Sequence, residues 1–193
     1  MRSKVPVVTT LALTLLMYSM SVMSAPPLNN LSDLAQTLSD MRDNCSKLSQ
    51  DAHSSFSAAN YQASLDSDLA QAKARNDVEL YGMSHGHQEA TRYMLDRLQE
   101  DAQNDVAKRK EIGDKLASDG EQVRSCVKDA EQQGKALYST FKSHHKRLAA
   151  AAESLVTAWY TNLDEIDVDH PDGSDETHAA WKTAQTHAEL SSS

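Results

Sequence analysis

The chain has 193 residues, of which 28 are acidic and 19 are lysine or arginine, and its formal charge at pH 7 is −9. This acidity argues against nucleic acid and anionic membrane surfaces as partners, because both attract basic patches. Aromatic residues make up only 5% of the chain, so alanine and leucine must fill the core, which suits a helical bundle. No alternating run of β-branched residues follows the first 24 residues, and the sequence therefore predicts an all-α fold.

Residues 1–24 have the pattern of an export signal. Two basic residues open the chain, 5–17 are apolar with little interruption, and small and polar residues lead to Ser24. A cut after Ser24 avoids placing Pro26 next to the scissile bond. A membrane anchor is the alternative, but a spanning helix needs about 20 apolar residues and this run is shorter. We therefore expect an exported protein, periplasmic or extracellular, with no stable membrane insertion and a mature charge of −11 once two basic residues are removed from the −9 total.

Three clusters of serine or glycine interrupt the helical pattern that follows residue 31, and they lie at 53–60, 82–86 and 113–120. The helical segments between them are predicted at about 31–52, 60–81 and 87–112. The second of these segments carries Leu65, Leu69 and Leu80 on one face, at the spacing of a helix that packs on a core.

The stretch from Leu116 to Leu155 carries an apolar seam with alternating spacings of four and three residues. This is the period of a helix that packs lengthwise on another helix, so we predict one long C-terminal helix that ends near Tyr160. If this helix extends past a shorter bundle, its last turns around Ala158 and Trp159 would leave apolar surface for a partner or a second copy. The domain prediction is a helical bundle over 25–162.

The remaining residues, 163–193, are predicted to form an acidic flexible tail with a possible short helix. The segment from Asp167 to Glu176 concentrates carboxylates around an Asp-Gly turn. Its spacing does not match an EF-hand loop. A solvated linker is therefore favoured over a low-affinity site for a divalent cation.

Cys45 and Cys126 are the two cysteines of the chain, and an even count in an exported protein predicts a disulfide. Their midpoint falls in the glycine turn at 82–86. A four-helix up-down-up-down bundle and one long helical hairpin both bring the two cysteines level, as the short reach of a disulfide requires. A three-helix bundle would separate them. We predict an elongated antiparallel helical bundle, stapled by one disulfide, and prefer the four-helix form because three breaker clusters give ordinary helix lengths.

Met83, His85 and His87 form the sharpest local group of possible ligands. A thioether and two imidazoles within five residues suit copper or zinc. A stable site usually needs three or four ligands held by further hydrogen bonds, so a polar turn at the end of the bundle is the plainer interpretation. A second pair, His144 and His145, is expected to place His144 on the seam and His145 outside.

The sequence contains no glycine-rich phosphate loop, nucleophile elbow, His-Glu-x-x-His or Cys-x-x-Cys. We therefore expect no enzyme activity and no cofactor. The first functional hypothesis is an exported, non-catalytic helical protein that acts by binding another protein or itself. The alternative is a copper- or zinc-binding protein that uses the Met83-His85-His87 turn, and a third possibility is a carrier of apolar ligands inside an alanine-lined bundle.

Overall fold

A computed structural model describes residues 28–191. Within this range the chain forms four α-helices: α1 (Leu31–His85), α2 (His87–His144), α3 (Ala149–Asp164) and α4 (Asp175–Leu190), with one 3-10 turn at Lys146–Leu148. The predicted all-α helical bundle with one disulfide is confirmed. None of the helices in the described range is at once long enough and apolar enough to cross a membrane. The predicted leader and its cleavage site lie outside the described residues.

The two long helices form one long helical hairpin, which is the less favoured of the two topologies that bring the cysteines level. The preferred four-helix up-down-up-down topology is wrong. The chain reverses at Gly86, whose φ of 91° is a conformation that glycine adopts at little cost. No break occurs at 53–60 or 113–120, where α1 and α2 run through without interruption. Serine and exposed glycine each cost a helix no more than about 1 kcal/mol, and packing between the two arms outweighs that cost.

The predicted single helix over 116–155 is also wrong, because α2 ends at His144. The backbone leaves the helix at His145, whose N–H donates to the carbonyl of Phe141 at 2.8 Å. The chain then turns through the 3-10 segment and returns as α3. The apolar period survives this reversal because α2 and α3 face the same core, and Leu155 is buried there.

All four helices pack together at one end of the hairpin, which we call the base. The base comprises 31–52 of α1, 120–144 of α2, and the whole of α3 and α4. The largest fully buried side chains belong to it, and they are Trp159, Trp181, Phe141, Leu34, Leu38, Leu155 and Leu163. Trp159 anchors this core, because its indole Nε1 donates to the carbonyl of Leu38 at 2.7 Å.

The C-terminal segment belongs to the base, contrary to the expected flexible tail. Ile166, Trp181 and Ala188 are buried, and α4 packs on both α1 and α3. Acidic residues dominate the composition of 163–193, yet the few apolar residues are spaced to meet the core. The predicted boundary at residue 162 therefore falls inside α3.

The other end of the hairpin, residues 53–119, consists of α1 and α2 alone, and we call it the stalk. Its α1 arm of 33 residues measures about 50 Å at 1.5 Å per residue. Small residues bring the arms together. From Ala52, the last α1 residue of the base, buried alanines recur every eleven residues, at 52, 63 and 74. A period of eleven residues over three turns is close to that of a straight helix, so this spacing predicts little supercoil between the two arms.

Candidate functional site

Exposed apolar side chains are concentrated on the stalk. Among the described residues, nine of the ten exposed large apolar side chains lie between Tyr61 and Val106, and the tenth is Leu190. Single exposed apolar residues are common on protein surfaces, whereas a concentrated set marks an interaction surface. The stalk is therefore the candidate functional site.

Most of these side chains follow one line along α1. The line, which we call the outer stripe, consists of exposed residues spaced by three or four, namely Ala58, Tyr61, Leu65, Leu69, Ala72, Leu80 and Met83, with Asn76 as a polar interruption. At 100° per residue, the stripe lies on the face opposite the buried Ala63 and Ala74. Leu65, Leu69 and Leu80, expected in the core, thus face solvent because the alanines form the contact with α2.

A shorter group of exposed apolar residues lies on the α2 arm. It includes Leu95, which is 59% exposed, together with Leu98 and Val106. Between the arms, Lys108 pairs with Asp66, and the rings of Tyr81 and Tyr93 stack with centroids 4.9 Å apart near the tip. These contacts hold the two antiparallel arms side by side, and so they fix the direction in which the outer stripe points.

The surface that the sequence predicted for a partner is not available. Leu155 and Trp159 are buried in the base and Ala158 is half-buried. The prediction assumed a helix that extends beyond its bundle, whereas α3 folds back and is covered by the other three helices. The exposed apolar surface lies instead on the stalk.

The predicted metal ligands lie at the tip of the hairpin. Met83 and His85 belong to the last turn of α1, and His87 begins α2 beyond the turn at Gly86. The His85 ring stacks on Tyr81 at 4.1 Å between centroids, and its Nδ1 lies 2.7 Å from the Ser84 hydroxyl. Copper or zinc binding at this turn stays a prediction. Within residues 28–191, no three histidine, cysteine or acidic side chains gather as metal ligands.

The second histidine pair is oriented opposite to expectation. His144 is exposed, whereas His145 is half-buried, stacks on Phe141 at 4.5 Å and places its Nε2 2.9 Å from the carbonyl of Leu28. The helix ends between the two residues, so the seam position no longer fixes their direction. His145 also borders an open groove of about 810 Å³ between the ends of α1 and α2, floored by Leu137 and Phe141.

A buried arginine organises the polar interior of the base. The Arg42 side chain is only 4% exposed. Its Nε donates to Asn162 Oδ1 at 2.8 Å, and its Nη2 reaches Asp172 Oδ1 at 2.9 Å and His178 Nδ1 at 2.8 Å. A buried charge needs such partners. Each donor nitrogen of Arg42 is engaged, so this cluster joins three helices and a loop.

The acidic loop between α3 and α4 is pinned to α1, and this corrects the expected solvated linker. Ser49 donates to the carbonyl of Asp167, and the Asp167 carboxylate accepts from the N–H of His170 at 2.7 Å. Gly173 has a φ of 74° and leaves no room for a Cβ, which would lie 2.6 Å from Asn162 Nδ2. The carboxylates of Asp167 and Asp172 therefore accept hydrogen bonds within the fold.

Asp172 links the loop to the buried arginine through its charge. Burial would raise the pKa of this carboxyl, but hydrogen bonds from Ser46 and Arg42 act in the opposite direction and leave the pKa below its ordinary value of 3.8. A lowered carboxyl pKa means that ionised Asp172 stabilises the folded state.

We expect Asp172→Asn to reduce the free energy of unfolding by about 1 kcal/mol at pH 7, since its charged hydrogen bonds are half-exposed to solvent. The contribution of Asp172 is complete above about pH 4 and is lost as pH falls through its folded pKa. Urea unfolding from pH 7 to pH 2.5 should therefore show the two proteins converging at the acid end. Asp51→Asn, at an exposed carboxylate of α1, is the matched control, and a gap independent of pH would contradict this role for Asp172.

Sequence reasoning missed both the Arg42 cluster and the outer stripe. Arg42 and Asn162 are 120 residues apart, and no local pattern connects them. The stripe did have a signal, because Ala58, Leu69 and Leu80 recur every eleven residues, but the same leucines also fit a core face.

No protein-family model, curated protein or solved structure matches this chain.

Proposed function

We propose that this is an exported, non-catalytic helical protein that acts by protein–protein interaction in the periplasm, the envelope or a secreted fluid. The observation that carries the proposal is the outer stripe, an apolar surface on the stalk that its own base does not cover. Leu69, Leu80 and Met83 are 68%, 65% and 76% exposed. Covering such side chains with a partner gains about 25 cal/mol per Å² of apolar surface removed from water.

The division of the molecule into base and stalk supports the proposal. The base holds the tryptophan core and the Arg42 cluster, so it supplies the stability of the fold. The stalk adds a long, straight surface that contributes little to a core of its own, since its buried apolar residues are the alanines at 63, 74 and 90. Export is supported by the leader pattern of residues 1–24 and by the disulfide, which persists in oxidising compartments.

A photo-crosslinking amino acid placed at residue 69 tests the proposal in the cells that make the protein. We expect a protein adduct from this position, because the stripe should be covered by its partner. The same amino acid at Glu153, which is exposed on α3, is the matched control and should give none. Absence of any adduct from residues 69 and 80 would contradict the interaction, and recovery of the chain in the cytoplasm with its leader intact would contradict export.

A further inference from the structure

The outer stripe has the same period as the contact inside the hairpin. Ala58, Leu69 and Leu80 recur every eleven residues on the stripe, and Ala52, Ala63 and Ala74 do so on the buried face. The stripe is therefore shaped for another straight helix whose apolar residues follow this period. The α1 helix of a second copy meets this requirement.

We propose that the partner of the outer stripe is a second copy of this chain, docked antiparallel along α1 about a two-fold axis between residues 70 and 71. This inference rests on the proposed function and names its partner. A two-fold contact uses the same surface on both copies, so the stripe must be complementary to itself when reversed.

The reversed stripe is complementary in size. The stripe residues that face each other across this axis are Ala58 with Met83, Tyr61 with Leu80, Leu65 with Asn76, and Leu69 with Ala72. Two of these four pairs set a large side chain against an alanine, as close packing of two helices requires, and one pair sets Leu65 against the polar interruption of the stripe. A parallel pairing would instead set each residue against itself, and would leave alanine facing alanine at 58 and 72.

The charges beside the stripe agree with the same arrangement. Asp68 and Arg75 are both exposed and lie on the same side of the stripe. Residues on the same side meet in an antiparallel helix pair, and these two lie symmetrically about the axis to within about one residue. Each copy then offers Asp68 to Arg75 of the other, and opposite charges beside an apolar seam favour one orientation.

The length of the stalk fits as well. With the axis between residues 70 and 71, the turn at Gly86 of one copy lies level with residue 55 of the other. The base begins at residue 52 and is wider than the stalk, because α3 and α4 pack there. Each tip therefore stops just short of the other base, whereas a parallel pairing would force two bases side by side.

Sedimentation equilibrium of the oxidised protein that begins at Ala25 tests self-pairing. We expect a dimer, and Leu69→Glu should weaken it by about 100-fold or more, because both copies lose an apolar contact and gain a charge in the interface. Leu95→Glu, at a leucine of α2 that is 59% exposed, is the matched control and should leave the dimer intact. Thermal unfolding followed by circular dichroism should show both variants folded.

Cysteine crosslinking tests the direction of pairing. A mixture of A58C and M83C proteins should form a disulfide between the two variants on mild oxidation, while each variant alone should not. Crosslinking of each variant to itself would overturn the antiparallel arrangement. A wild-type protein that remains monomeric up to about 100 μM would overturn self-pairing, and an adduct at residue 69 that contains a different protein would then leave the proposed function standing.

Discussion

Gly134→Ala should destabilise the protein by about 2 kcal/mol, although alanine is the better helix former. A Cβ at this position of α2 would lie 2.4 Å from Cζ3 and 2.6 Å from Cη2 of the Trp159 ring. The ring has no room to retreat, because it is fully buried and its Nε1 is bound to the carbonyl of Leu38. Overpacking of this kind costs about 1–3 kcal/mol or more, which exceeds the gain of about 1 kcal/mol in helix propensity.

Gly120→Ala on the same helix is the matched control. Gly120 is also buried, but the atoms nearest to an added Cβ are Arg124 Nη1 and Val168 Cγ2, both at 3.7 Å, an ordinary contact distance. This variant should be unchanged or more stable by up to about 1 kcal/mol. Urea denaturation of both variants measures the difference, and equal effects at 120 and 134 would show that the ring of Trp159 does not set the cost.

Replacement of both Cys45 and Cys126 by alanine should have the largest effect, a loss of about 4–5 kcal/mol in the chain-entropy account of disulfides. The bond has a sequence separation of 81, so its loss frees a long loop in the unfolded chain. Alanine is the suitable replacement because Cys45 is fully buried, and a serine there would bury an extra hydroxyl.

Chemical reduction provides the control for this prediction. A reducing agent should lower the urea midpoint of the wild-type protein to that of the double variant, and should leave the double variant unchanged. A double variant whose free energy of unfolding lies within about 1 kcal/mol of that of the oxidised wild type would contradict the chain-entropy account here. That result would indicate that the stalk keeps residual structure in the unfolded state.

The helical spacing of apolar residues was enough to predict the all-α fold, because it is a local pattern. The even number of cysteines and their positions about the glycine turn were enough to predict the disulfide, because its pairing depends on topology. The choice between hairpin and four helices was wrong because it rested on intrinsic preferences. Gly113 is exposed and has nothing within 4 Å of an added Cβ. It therefore costs the helix little, and no packed neighbour forces α2 to end there. Gly86 looks similar in the sequence, yet only there does the backbone adopt a positive φ among the glycines of the two long helices and their junction.

The candidate site was less accessible to sequence reasoning. Leu69 fits an apolar face in any helical reading, and only the position of α2 shows that this face is the outer one. The Arg42 cluster depends on residues from α1, α3, α4 and the loop before α4, so its members become neighbours only after the base has folded. The tail was misjudged for the same reason, since Trp181 shows its role only against the rest of the core.

The disulfide also decides how the molecule would carry mechanical load. It joins the two arms inside the base, about two helical turns from the start of the stalk, at residues 45 and 126. If the protein were pulled by its two ends, tension would pass from α1 across the sulfur atoms directly into α2. The stalk hangs outside this path as a covalently closed loop, so a pull strong enough to open the base would leave the stalk unstretched.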